Sequence, residues 1–144
     1  MQIEILSDVT DEVAADFARL LPQLSTSAAP LSKAALAGIA AHPATTVLVA
    51  RDGDSLVGTL TLVLYPIPPG LRAHIDDVVV DSAARGRGVG EALTLEAIRL
   101  AAAAGVRTVD LTSRPSRDGA NRLYQRLGFE LRDSNVYRYR VLPK

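Results

Sequence analysis

Arg85-Gly86-Arg87-Gly88-Val89-Gly90 places three glycines at alternate positions, with two arginines among them. Glycines in such a run remove side chains where a backbone turns, so amide hydrogens can approach a ligand closely. Arginine adds a full positive charge in a fork that matches phosphate oxygens. A helix opening at the same point adds unsatisfied N–H groups and about half a positive elementary charge. Together these features make a pyrophosphate site. The plainer reading of the same residues is a tight loop with solvated arginines, and the flanking elements favour the ligand site.

The turn needs a strand before it and a helix after it. His74 to Val80 reads as the strand, and Gly88 to Ala104 as a long helix stopped by Gly105. Thr108 to Thr112 reads as the next strand, which completes a right-handed βαβ crossover. Two other phosphate motifs fail at one residue. The dinucleotide fingerprint needs a third glycine where Glu91 stands, and the P-loop needs Gly-Lys-Ser/Thr where Gly90 is followed by Glu91.

The remaining elements follow from periodicity and punctuation. Gln2 to Leu6 alternates as a half-buried strand does, and Asp11 to Leu21 has helical spacing with Thr10 or Asp8 as N-cap. Pro22 to Pro30 reads as a Ser/Pro loop. Ser32 can cap a second helix, with Leu31 and Leu36 as a hydrophobic staple, and that helix ends near His42-Pro43. Thr45 to Ala50 and Leu56 to Leu64 form a hairpin about Asp52-Gly53-Asp54. Tyr65 to Leu71 reads as a loop. Ser116 to Leu127 reads as a helix stopped by Gly128, and Phe129 to Leu131 with Val136 to Val141 as a final antiparallel pair. The order β-α-α-β-β-β-α-β-α-β-β, with hairpins around one crossover, predicts a mixed α/β sheet.

Composition narrows the function. The chain has 144 residues, about half of them apolar, which suits one domain over 1–144 with one sizeable core. Its formal net charge is zero, whereas a general nucleic-acid or membrane-surface binder carries a basic excess. Neither nucleic acid nor membrane is expected as a partner. The absence of cysteine excludes a disulfide framework, a thiolate zinc site and a cysteine nucleophile, and it fits a reducing, cytoplasmic setting. Met1 to Leu6 is expected not to be a signal peptide. No stretch is long and apolar enough to span a membrane, and no His/Asp/Glu cluster has metal-ligand spacing, so no metal is expected.

Arg85-x-x-Gly88-x-Gly90 resembles the Gln/Arg-x-x-Gly-x-Gly/Ala signature of the GCN5-related N-acetyltransferases, the GNAT superfamily. Asn121-Arg-Leu-Tyr124-Gln-Arg-Leu-Gly128-Phe129 is similar to a second motif of that family, and the element order matches throughout. Locally, Ile75-Asp-Asp-Val-Val-Val80 resembles the glucosamine-6-phosphate N-acetyltransferases, which carry an acidic pair in this strand. The resemblance implies a mixed, mostly antiparallel twisted sheet of about seven strands, flanked by about four helices, with a parallel pair splayed into a V. It implies acetyl-CoA as cosubstrate. Val78, Val79 and Val80 would pair with the pantetheine arm as an added strand does. Arg85, Gly86, Arg87, Gly88, Val89, Gly90 and Glu91 would ring the pyrophosphate, mostly through backbone N–H groups. Arg87 need not touch it. Asn121 would bond the pantetheine or the backbone near it, and Tyr124 would give a proton to the leaving thiolate.

The reaction so implied is attack of an amine on the acetyl thioester. A primary ammonium has a pKa near ~10 and must first lose a proton, for which Asp76 and Asp77 are the candidate bases. Adjacent strand residues point to opposite faces unless a bulge intervenes, so the sequence leaves the choice open. The family carries a bulge in this strand, and Val78 is the implied oxyanion donor. Plainer readings stand beside each role: a buried strand for the valines, a core tyrosine for Tyr124, a partner for Arg72 in the acidic pair. His74 as a second proton acceptor and as a structural histidine are both open. The acceptor is expected among Pro22 to Pro30, Tyr65 to Leu71 and the last hairpin, with Tyr65, Ile67 and Leu71 as an apolar wall. The same residues, and Tyr137 with Tyr139, suit a homodimer contact equally. A small-molecule amine is the leading acceptor. A protein or peptide N-acetyltransferase and a non-catalytic acyl-CoA sensor are the alternatives.

Overall fold

A computed structural model describes residues 1–27 and 29–142. The chain divides into two units, Met1–Thr112 and the residues from Ser113 onward. The first unit holds a five-stranded sheet in the order β1-β2-β3-β4-β5. Its strands are β1 (Gln2–Ile5), β2 (Thr45–Asp52), β3 (Ser55–Ile67), β4 (Gly70–Val80) and β5 (Val109–Leu111). The first four pair antiparallel, and β5 joins β4 in parallel.

Helices cover both faces. On one face α1 (Asp11–Leu24) and α2 (Lys33–Ala41) close over Val47, Val49, Leu56 and Val79, contributing Val13, Phe17, Leu20 and Leu36. The expected caps form: Thr10 Oγ1 accepts from the Val13 N–H at 3.2 Å, and Ser32 Oγ from the Ala35 N–H at 3.0 Å. Each satisfies one of the four N–H groups that a helix start leaves without a partner. Leu31 packs against the core cluster that holds Leu36, as a staple should. On the other face α3 (Val89–Ala103) packs on β2, β3 and β4, with Val89, Leu93, Ala97 and Ala101 buried at helical spacing.

Three expectations are corrected. The Pro22–Pro30 loop begins later, because α1 runs through Pro22 to Leu24. Val13, Phe17, Leu20 and Leu24 continue one apolar stripe, and Leu24 packs on the core, so burial carries the helix past the proline. Ala28 of that loop lies outside the described residues. The Tyr65–Leu71 loop is instead a tight hairpin: Tyr65 opposes Arg72 and Ile67 opposes Gly70, leaving Pro68-Pro69 to turn. Finally, no described residue after Phe129 lies in a strand, so the sheet has five strands rather than about seven. Period-two alternation at 136–141 supplies strand propensity, but a strand also needs backbone partners. No backbone group from Glu130 to Leu142 bonds another backbone group among the described residues.

The second unit contains α4 (Asp118–Arg126), closed by the Leu127 and Gly128 N–H groups, with the Phe129 N–H bonded to the Tyr124 carbonyl at 2.9 Å. Gly128, at φ 102°, supplies the left-handed stop.

Candidate functional site

Between β4 and α3 the backbone makes a single 3₁₀ turn, Ser82–Ala84, and then the glycine-rich segment. Gly86 and Gly88 take φ values of 80° and 78°, which L side chains rarely adopt. Gly88 is the N-cap of α3 and has no side-chain cap. The first N–H groups of α3 therefore have no capping side chain, at the positive end of the helix dipole. Apart from the adjoining residues of the chain, no heavy atom lies within 4 Å of a Cβ built on Gly86 or Gly88. The cradle is open, and its chemistry is that of backbone donors.

The arginines are disposed differently. Arg87 Nη2 reaches back to Asp52 Oδ2 on the β2–β3 hairpin at 2.8 Å. That hydrogen bond, and then the charge behind it, holds the Asp52 carboxyl below the ordinary range. Arg85 is exposed and makes no ion pair among the described residues. Glu91 stands in the first turn of α3.

Gly58 seats the helix. A Cβ there would lie 2.9 Å from Val89 Cγ1, 3.2 Å from Leu93 Cδ1 and 3.2 Å from the Val79 carbonyl. Only glycine lets the first turn of α3 approach β3 this closely.

In β4, Thr61 opposes Asp76 and Thr59 opposes Val79, so Asp77 and Val78 together face Leu60 alone. This is a β-bulge. Asp77 has φ 55°, the one non-glycine residue with positive φ among those described. The extra residue switches the alternation. Asp76 and Val79 share the face of Thr61 and Thr59, toward α1, so the acidic pair does not follow simple alternation. His74 is on the same face, its Nε2 3.6 Å from Asp76 Oδ1. Burial, and then the neighbouring charge of Asp76, raises the Asp77 carboxyl above its ordinary value.

Pairing with β5 covers only Ala73–Val109, His74–Asp110 and Ile75–Leu111. From Asp76 to Val80 the β4 edge on that side has no strand partner among the described residues. The bulge, the open edge with Val78, Val79 and Val80, and the glycine turn thus follow one another along the first unit. They fit the needs of an extended amide-containing arm that ends in a pyrophosphate.

In the second unit Asn121 and Tyr124 lie on α4. Asn121 Nδ2 donates to the Arg114 carbonyl at 2.9 Å and to the Pro115 carbonyl at 3.4 Å, so its amide N–H groups brace the preceding loop. Tyr124 is buried, and its ring meets Phe129 edge-on at 5.7 Å. Burial raises its phenol above the ordinary value, against a smaller lowering by Arg117. The hydroxyl stays protonated through the neutral range. Tyr65 and Ile67 lie in β3, and Leu71 is an exposed residue of β4.

The sequence reading missed a polar cluster at the mouth of the turn. Asp16, Arg19 and Gln23 of α1 reach Leu56, Asp81 and Ser82. Their i, i+3, i+7 spacing on one helix face was the available signal. Among the described residues, the buried Ser113 Oγ has no hydrogen-bond partner.

A mixed sheet, a bulged strand with an open edge and an uncapped helix start are the features that a known class of protein must share. The acetyltransferase (GNAT) family model matches residues 10–129. The chain is 34% identical over 119 residues to the glucosamine 6-phosphate N-acetyltransferase of Trypanosoma brucei brucei, spanning 77% of this chain and 79% of that protein. A solved acetyltransferase structure from Trypanosoma brucei matches with a TM-score of 0.77 at 27% identity, over 96% of this chain and 98% of that one. An aminoglycoside acetyltransferase from an uncultured soil metagenomic sample, solved with sisomicin, matches with a TM-score of 0.85 at 19% identity over 99% and 96%. That last likeness is one of fold alone. The chain belongs to the acetyltransferase (GNAT) family and is an acyltransferase.

Proposed function

We propose that the chain is a single N-acetyltransferase domain over 1–144 that transfers acetyl from acetyl-CoA to a primary amine of a small molecule. The observation that carries the donor is the pair of positive-φ glycines at the uncapped start of α3, following an unpaired β4 edge. Arg85, Gly86, Arg87, Gly88, Val89, Gly90 and Glu91 make the pyrophosphate cradle in this reading, with backbone N–H groups as the principal donors. Val78, Val79 and Val80 offer backbone groups to the pantetheine. A bulge leaves one N–H of its pair out of the ladder, and we assign that role to Val78, whose N–H would polarise the thioester carbonyl.

Asp76 or Asp77 accepts the proton of the incoming ammonium, directly or through water. The raised carboxyl of Asp77 favours it as the acceptor, since a base nearer neutrality takes protons more readily at working pH. Attack forms the C–N bond, the C–S bond breaks, and Tyr124 supplies the proton to the departing thiolate. A phenol kept neutral by burial suits that role. Asn121 is assigned to the pantetheine through its remaining amide oxygen.

The name of the trypanosomal relative supports a small amine acceptor, here an amino sugar phosphate. So do the seven arginines of residues 113–142, set against only Asp118, Glu130 and Asp133. A screen of amino sugars, amino sugar phosphates, polyamines, amino acids and peptides, read by thiol release, tests this. Turnover with peptides alone would replace the small-molecule reading. Acetyl-CoA binding with no turnover on any acceptor would favour a sensor.

A homodimer is also proposed. Tyr137, Tyr139 and Val141 are each more than four-fifths exposed, an apolar row suited to a second copy. Sedimentation at twice the chain mass would support it.

A further inference from the structure

We infer that Arg19 and Gln23 of α1 are positioning residues for the coenzyme phosphates, holding the entry to the glycine turn without touching the ligand. The inference rests on the reading of Gly86 to Gly90 as the phosphate cradle. Few bonds within the turn fix its own shape. The Ala84 N–H bonds the Asp81 carbonyl at 2.8 Å and the Ala83 N–H bonds Asp81 Oδ1 at 3.2 Å. Beyond Ala84 the residues from Arg85 to Gly88 are exposed.

The Asp81 N–H also bonds the Val57 carbonyl at 2.8 Å, and Arg87 pairs with Asp52; the side-chain ties at the entry itself come from one face of α1. Arg19 Nη1 pairs with Asp81 Oδ2, and its Nη2 donates to the Leu56 carbonyl at 2.7 Å and to Asp16 Oδ1 at 3.2 Å. Asp16 Oδ2 in turn accepts from the Leu56 N–H at 3.1 Å. Gln23 Oε1 accepts from the Ser82 N–H at 2.9 Å. Arginine alone has the fork to serve two carboxylates and a carbonyl at once. The Asp81 carboxyl is held below the ordinary range, first by the Ala83 N–H and then by Arg19 against some desolvation, so the pair is charged at neutral pH.

These contacts join α1, the start of β3 and the end of β4 at the residue where the turn begins. Exposed pairs of this kind add little to global stability. Their consequence is orientation: Asp81 and Ser82 aim the segment that presents Gly86 and Gly88. Displacement of such a support by an ångström costs binding far more than it costs folding.

The test compares two donors, acetyl-CoA and S-acetyl-pantetheine, which lacks the nucleotide and its phosphates. In Arg19→Ala the KM for acetyl-CoA should rise about tenfold with kcat kept, since charge-assisted bonds at the support are lost. The kinetics with S-acetyl-pantetheine should not change. Arg19→Lys, which keeps a charge for Asp81 but not the fork, should recover part of the loss. Gln23→Leu should raise the same KM more modestly, and it carries the test if Arg19→Ala does not fold. An equal loss with both donors, or an unchanged KM for acetyl-CoA in both variants, overturns the inference. If the wild-type chain uses both donors with equal KM, the phosphate reading of the turn fails first, and the two failures are thereby distinguished.

Discussion

Gly58→Ala adds one methyl group at the seat of α3, and the structure sets its cost. The new carbon would meet Val89 Cγ1 at 2.9 Å, Leu93 Cδ1 at 3.2 Å and the Val79 carbonyl at 3.2 Å. Val89 and Leu93 are buried, and the third neighbour is backbone of β4, so none can swing into solvent. Overpacking of this kind costs about 1–3 kcal/mol. At about 2–4 °C per kcal/mol for a chain of this length, the melting temperature should fall by roughly 2–12 °C. The relief available is a shift of the first turn of α3, which on the proposed reading carries the phosphate donors away with it. Calorimetric titration should then show weaker acetyl-CoA binding, together with the thermal loss seen by circular dichroism. Val89→Ala removes the atom that is struck first. In the double variant the two losses should be less than additive, by ~1 kcal/mol or more. Full additivity, or a Gly58→Ala chain with unchanged melting and unchanged affinity, would refute the claim that Gly58 seats the helix.

Other perturbations test separate parts of the site. Gly88→Glu puts a side chain on a φ of 78° and a negative charge at the cradle, so acetyl-CoA binding measured by titration should vanish; normal binding would remove the phosphate assignment. Tyr124→Phe keeps the ring against Phe129 and deletes the hydroxyl, so kcat should drop by about 10²–10⁴ with coenzyme affinity kept; unchanged turnover would exclude the acid role. Asp77→Asn should raise the melting temperature at neutral pH, because the raised carboxyl costs stability only when ionised. The cost is absent below the ordinary carboxylate pKa and complete above the raised one. The gain should therefore disappear as pH falls below about 4, while turnover at neutral pH falls if Asp77 is the base. A gain that persists in acid would point to backbone relief at φ 55° instead.

Local chemistry was legible in the sequence, and features that depend on distant partners were not. Thr10 and Ser32 could be read as caps because a cap bonds its own helix start. Gly86 and Gly88 could be read as a turn because the positive φ they supply is a property of the residue itself. Pro22 misled in the other direction. It signals a break, but burial of Leu24 outweighed one lost helix bond near the end of α1. The alternation of Val136 to Val141 also reads as a strand, yet alternation cannot supply a neighbouring ladder. The bulge at Asp77 left no local mark beyond the tolerance of aspartate for positive φ, and only the family resemblance anticipated it. Gly58 was equally silent: its meaning lies in Val89 and Leu93, which the chain reaches after another strand and the turn.

The arginines of the motif invite the view that charge makes the phosphate site. Of the two, only Arg85 is without an ion pair among the described residues, and the geometry gives the larger part to backbone. Arg87 is engaged by Asp52, and the firmest guanidinium near the turn, Arg19, is spent on Asp81, Asp16 and the Leu56 carbonyl. What faces the cradle without a competing side chain is backbone: two glycines in the left-handed region and the opening N–H groups of α3. Donors of that kind are only as good as their placement, because they cannot reach for a ligand as a long side chain can. Their placement is held by Gly58 beneath the helix and by the α1 cluster before the turn. On the proposed reading, residues that never meet the coenzyme set how well the backbone binds it.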